Sequence, residues 1–215
     1  MKIILKDKDE ILAPIFRFLS RPISSFLIRY TNITPNQVTI IGFMFAIAGA
    51  VFLAGGEYQN LIIGSILAFI SILCDCIDGD IARTKNLGSK TGKWLDAVLG
   101  WIGIELLTFA LIIGINTKLA FVFGLLAMIS FPMQYLFVHF YKSEVVGNNE
   151  PISIGKSGKL DFIKYLYGDT WFFTLLLIFS LFNRPFYFIL LFAVFGNLFW
   201  VGTLFIQYLS LRGLK

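Results

Sequence analysis

Charge is scarce in this chain. Asp, Glu, Lys and Arg together make up 14% of the 215 residues, against 57% hydrophobic, and the mean hydropathy is +0.80. A water-soluble domain usually carries about 25% charged residues, so this composition excludes one and makes lipid the solvent to reason from. Cysteine is nearly absent too. Cys74 and Cys76 flank Asp75, and a helix points residues two apart in different directions, which excludes a mutual disulfide and leaves the redox compartment open. The first residues, "MKIILKDKDEILAPIF", lack a charged head, an apolar middle and a small-residue cleavage site in that order, so no removable signal peptide is expected. There is no convincing internal repeat and no low-complexity tract. The net charge of +5 and pI near 9.2 do not call for nucleic acid, because in a membrane protein the placement of Lys and Arg matters more than their sum.

What the chain has in quantity is long apolar runs. Crossing about 30 Å of hydrocarbon takes ~20 helical residues, and six segments suffice: 36–55, 60–81, 92–115, 119–141, 162–182 and 185–208. Gly, Asn and Pro in "GGEYQ", "NTK" and "NRP" break the chain between them. Ahead of the first run, residues 9–30 set Ile11, Leu12, Ile15, Phe16, Leu19, Ile23, Phe26 and Leu27 at helical spacing with Arg17, Arg21 and Arg29 between, the pattern of an amphipathic helix on a membrane surface. The expected fold is therefore an all-α integral membrane protein: an interfacial segment (1–35), a six-helix transmembrane core (36–208) and a short tail (209–215). Sixteen of the 18 Lys and Arg fall on one side of this layout, with only Lys118 and Arg184 on the other. The positive-inside rule then puts both termini in the cytoplasm.

The acids in such a chain call for an explanation. Asp75, Asp78, Gly79 and Ala82 share one stripe of the second run at 100° per residue, and Gly92, Asp96, Gly100 and Gly103 share one on the third. Intramembrane carboxylates are costly and mark functional sites. Arg83 and Lys93 lie at the helix ends, too few to neutralise the group. Asp75, Asp78 and Asp96 are therefore candidate ligands of Mg²⁺ or Mn²⁺, which take oxygen donors and keep positions open for water or phosphate. The small residues beside them leave space for a phosphate-bearing ligand.

The stretch "DCIDGDIARTKNLGSKTGKWLDAVLG" (75–100) resembles the signature of the CDP-alcohol phosphatidyltransferases, D-x-x-D-G-x-x-A-R, a linker, then G-x-x-x-D-x-x-x-D. Asp75, Asp78, Gly79, Ala82, Arg83, Gly92 and Asp96 match seven of its eight fixed positions. "ITPNQVT" (33–39) is similar to the family's entry into the first span, and residues 105–215 match in hydropathy alone. The resemblance implies transfer of a phosphatidyl or phospho-alcohol group from a CDP-linked lipid or alcohol to an acceptor alcohol with release of CMP, in phospholipid synthesis. It implies a two-metal site on Asp75, Asp78 and Asp96, with Gly79 and Ala82 admitting the nucleotide and Arg83 holding a phosphate oxygen. Asn36, Thr39, Ser89 and Gly92 would line the nucleotide end. Pro35 and Asn36 read equally well as helix initiation and Thr39 as a packed polar residue. The cytoplasmic side, membrane lipid as surroundings, and a homodimer as an open option complete the expectation.

The departure is Gly100, where the signature has an aspartate resembling a second-metal ligand and general base; no catalytic base can be assigned. Glu105 lies about 140° around the helix from Gly100, Asp80 sits off the stripe, and the lone His139 stands among aromatics. Asp161 and Asp169 reach the site only if the fifth run leans inward. The sequence chooses none of them. A catalytically weak nucleotide and metal binder acting as partner or sensor is the alternative, and a transporter is disfavoured because inverted repeats are missing. Lys156 and Lys159 in the loop 142–164 could meet a phosphorylated acceptor such as inositol phosphate or glycerol phosphate, but the reading preferred from the sequence is an ordinary positive-inside loop beside anionic lipid.

Overall fold

The structure is a computed structural model that describes residues 12–146 and 168–212; Asp161, Lys156 and Lys159 fall outside them. The described residues form helices joined by short turns, with no strand among them. In chain order they are α1 (Ala13–Tyr30), α2 (Pro35–Ala54), α3 (Tyr58–Thr84), α4 (Lys90–Ile115), α5 (Lys118–Phe140), α6 (Asp169–Leu181), α7 (Pro185–Leu191) and α8 (Asn197–Arg212). A wider π-type turn extends α5 through residues 141–146, and another joins α7 to α8.

Five stretches are long and apolar enough to cross a membrane: Pro35–Ala54, Tyr58–Thr84, Lys90–Ile115, Lys118–Val145 and Pro185–Arg212. The fifth predicted run, 162–182, is described only in part, as α6, whose 13 residues reach about 20 Å at 1.5 Å each. The turns form where the breakers stand. Asn86, Asn116 and Asn183 take φ of 54°, 48° and 54°, left-handed backbone that asparagine tolerates better than most residues.

The main interface joins α2 to α3, and it is built on glycine. A Cβ at Gly64 would sit 2.8 Å from the Gly49 carbonyl oxygen, and one at Gly49 would sit 2.9 Å from that of Gly64, so the two backbones meet where neither carries a side chain. This is the close approach that small residues permit between helices in lipid. α4 packs on α2, and α6 packs on α3. Phe131, Phe172, Phe188 and Phe192 close the core between α5, α6 and α7, with ring centroids 4.8 to 5.6 Å apart.

α1 lies against α3 on a narrow face. Phe16, Ser20 and Ser24 are buried there, Phe16 stacking on Phe69 at 4.9 Å and the Ser24 hydroxyl donating to Asp80 Oδ2 at 3.1 Å. Ile15, Phe18, Ile23 and Phe26 on the same helix are exposed. The Lys85 ammonium at the end of α3 donates to the Thr31 carbonyl oxygen at 2.9 Å and fixes the link between α1 and α2. Cys74 and Cys76 are both free thiols.

Candidate active site

α2 begins where its residues dictate. Pro35 occupies the first turn, the Thr34 hydroxyl accepts from the Gln37 amide at 3.4 Å, and the Gln37 side chain accepts from the Thr34 amide at 2.9 Å. This reciprocal cap satisfies two otherwise orphaned donors. α4 starts on Ser89, whose hydroxyl accepts from the Gly92 amide at 2.9 Å. These two helix starts flank the acid-bearing half of α3. Pro35 thus initiates a helix, while the neighbouring Asn36 borders a groove between the helices.

One carboxylate oxygen from each of Asp75, Asp78 and Asp96 lies within 4.8 Å of the others. Two like charges at that separation repel by about 3 kcal/mol at an effective dielectric near 20, so a doubly charged cation between them relieves a standing conflict. Asp78 is buried at 6% exposure. Asp75 is exposed to the space between the helices, and Asp96 is half-buried. The donor set is all carboxylate oxygen, with room left beside it, which fits a hard divalent cation.

Thr39 does more than pack. Its hydroxyl is 2.6 Å from Asp78 Oδ2 and 3.1 Å from the Pro35 carbonyl oxygen. One proton serves one acceptor, and the charged one binds it more strongly. Thr39 thereby fixes the orientation of the Asp78 carboxylate. Thr39→Val is expected to weaken divalent-cation binding about 10- to 100-fold, as loss of a ligand's supporting hydrogen bond does, with Thr39→Ser retaining most of it. Mn²⁺ titration of the purified variants checks this, and wild-type affinity in the valine variant would contradict it.

Two adjoining spaces meet at the trio and share Thr39, Asp78 and Asp96. The inner one is small, about 50 Å³, and is walled by Asp75, Gly100 and Asp169 among others; it holds a few water-sized bodies. The outer groove, about 610 Å³, is bordered by Asn36, Gly79, Ala82, Arg83, Ser89 and Gly92, and its volume lies in the ~300–1,000 Å³ range of small-molecule sites. All ten residues singled out from the sequence thus border one or both spaces. Gly92 is where two of them meet: a Cβ there would stand 2.9 Å from Asn36 Oδ1 and 3.0 Å from Ser89 Oγ. Arg83 borders the groove with its guanidinium 2.8 Å from Asp80 Oδ1 and its side chain 64% exposed.

Several bordering residues were not foreseen. Ser71 and Phe173 line the inner cavity, and Asn86 and Lys93 the groove. Asn86 and Lys93 lie inside the signature's linker and its helix start, the one signal that could have found them. Of the candidates for the missing carboxylate, Asp169 alone among the described residues lines the inner cavity. Glu105 and His139 open instead onto a separate, largely apolar groove between α4 and α5, where His139 stacks on Tyr135 at 4.0 Å. Asp80 is held by Ser24 and Arg83.

Apolar helices of spanning length around an acid-walled, two-part cavity define a multi-pass helical membrane protein with an interhelical site. The family model of the CDP-alcohol phosphatidyltransferases matches residues 32–206, and the chain belongs to that family. It is 34% identical over 85 residues to the archaetidylinositol phosphate synthase of Pyrococcus horikoshii, covering 39% of this chain and 43% of that protein. It is 37% identical over 79 residues to the phosphatidylinositol phosphate synthase of Streptomyces avermitilis, covering 36% and 31%. These matches span less than half the length of either relative. The fold is that of the Mycobacterium tuberculosis phosphatidylinositol phosphate synthase crystallised with manganese and citrate, at a TM-score of 0.69 and 19% identity over 89% of this chain and 90% of that one. The same enzyme with CDP-DAG bound gives a TM-score of 0.64 at 20% identity, over 90% and 95%.

Proposed function

We propose that this chain transfers the phosphoryl-bearing part of a CDP-linked lipid to the hydroxyl of an alcohol and releases CMP. The attacking oxygen forms a bond to the lipid-side phosphorus, the bond from that phosphorus to the bridging oxygen of CMP breaks, and the hydroxyl proton is lost. The observation that carries this reading is the carboxylate trio standing where a cation-sized cavity opens into a nucleotide-sized groove. Asp75, Asp78 and Asp96 would hold Mg²⁺ or Mn²⁺ in a two-ion site; when bound, such ions neutralise charge on the diphosphate and orient the displacement. Asn36, Ser89 and Gly92 border the nucleotide end, Gly79 and Ala82 leave it room, and Arg83 exchanges Asp80 for a phosphate oxygen.

The acceptor we favour is inositol phosphate, because relatives and structural neighbours bear the names of inositol phosphate lipid synthases. Purified protein with Mg²⁺ and a CDP-linked diacyl or ether lipid should release CMP with inositol phosphate and much less with glycerol phosphate or serine. Release with another alcohol alone would reassign the acceptor. No release with any, beside retained CDP-lipid binding, would favour the nucleotide-binding reading that Gly100 suggests.

The membrane arrangement belongs to the same proposal: six spans with α6 within the fifth, α1 at the interface with Ile15, Phe18, Ile23 and Phe26 toward lipid, and site and termini cytoplasmic. Single cysteines at Lys90 and Lys215 should label from the cytoplasmic side and one at Lys118 from the other. Opposite labelling at Lys90 and Lys215 would mean an odd number of spans.

A further inference from the structure

We propose that Asp169, the first residue of α6, supplies the carboxylate missing at Gly100 and is the fourth oxygen donor of the cation site. The inference rests on the reading that Asp75, Asp78 and Asp96 bind divalent cations. Asp169 lines the same small cavity as those three and as Gly100 itself. Phe173, one turn further along α6, lines it too, so the face of α6 turned to the acids is the one that carries Asp169. The packing of α6 on α3, the helix of Asp75 and Asp78, brings this face to the site.

The space at Gly100 is open from the other side. A Cβ built there meets nothing within 4 Å, so no packed side chain has closed over the place where the signature has its aspartate. Asp169 stands outside the tight group in which every pair of oxygens lies within 4.8 Å. A second ion would therefore lie on the α6 side of that group. The ordinary account of an acid at this place is that it favours the positive end of the helix, worth about 0.3–1 kcal/mol. That account predicts no link between Asp169 and Gly100.

The experiment is Mn²⁺ titration of the full chain in detergent, by calorimetry and by the loss of the free-ion electron-spin signal. Wild type should bind two Mn²⁺, and Asp169→Asn should lose one or bind it 10- to 100-fold more weakly. Gly100→Asp/Asp169→Asn should regain the second ion, which a charge lost from the start of α6 cannot explain. Wild-type binding by Asp169→Asn overturns the proposal, and so does a loss that Gly100→Asp fails to rescue. If Asp169→Asn does not fold, Gly100→Asp alone decides: no additional ion bound supports an occupied fourth position, while a gained ion shows the position vacant and overturns it. Asp75→Asn, run in parallel, tests the underlying reading separately, since undiminished Mn²⁺ binding there would sink the trio whatever Asp169 does.

Discussion

Asp78→Asn is expected to abolish cation-dependent binding of a CDP-lipid and to cut CMP release by about 10³ or more. Asp78 is the buried member of the trio, borders both the inner cavity and the groove, and is aimed by Thr39 at 2.6 Å. Asparagine keeps its size, so the helices stay packed. It removes the anionic charge, and its amide group can turn a donor toward the place where a cation needs an acceptor. Charge stabilisation by bound metal is worth several kcal/mol; about 4 kcal/mol, at 1.4 per decade, is the thousandfold. Mn²⁺ calorimetry and CMP release, beside a helical circular dichroism spectrum like that of the wild type, make the measurement. Undiminished cation binding in Asp78→Asn or in Asp75→Asn would reject the assignment of the trio.

Gly64→Leu should have the largest effect on the fold. Its first added carbon would already stand 2.8 Å from the Gly49 carbonyl oxygen and from Leu53 Cγ, and a backbone oxygen cannot rotate away as a side chain can. α2 and α3 must separate, at a cost of about 3 kcal/mol for overpacking a tight contact, which lowers the melting temperature by on the order of 10 °C. The damage reaches the site because the same two helices carry Thr39 and Asp78, about 15 and 21 Å from the contact by helix rise. Affinity for Mn²⁺ should fall with stability. Gly202→Leu, where a Cβ meets nothing within 4 Å, is the control, and equal melting of the two variants would show that the glycine contact does not hold the helices.

The acids of α3 and α4 were legible in the sequence because helical periodicity alone puts Asp75 beside Asp78 and Gly92 beside Asp96. The start of α2 was legible from Thr34, Pro35 and Gln37. Asp169 could not be chosen, since nothing local says which way α6 leans; that depends on Phe172, Phe188 and Phe192 packing behind it. The docking of α1 escaped for a similar reason. Periodicity marked its large apolar residues, but the contact with α3 is made by Phe16 with two serines one turn apart, small enough to let the helices close and polar enough to reach Asp80. The wider turn at 192–196 carries no proline, and its Gly196, followed by Asn197, stands inside an apolar run of spanning length that overrides this helix-end pair, so the last run read as one uninterrupted helix.

The open space at Gly100 also bears on selective inhibition. A compound seated in the groove with a small substituent directed at the α4 backbone would meet no side chain within 4 Å of a Cβ at Gly100, whereas in a chain with the signature's aspartate the same substituent would collide with that side chain. Compounds extended toward this point should therefore separate this protein from relatives that keep the aspartate, even where every other residue around the nucleotide is the same.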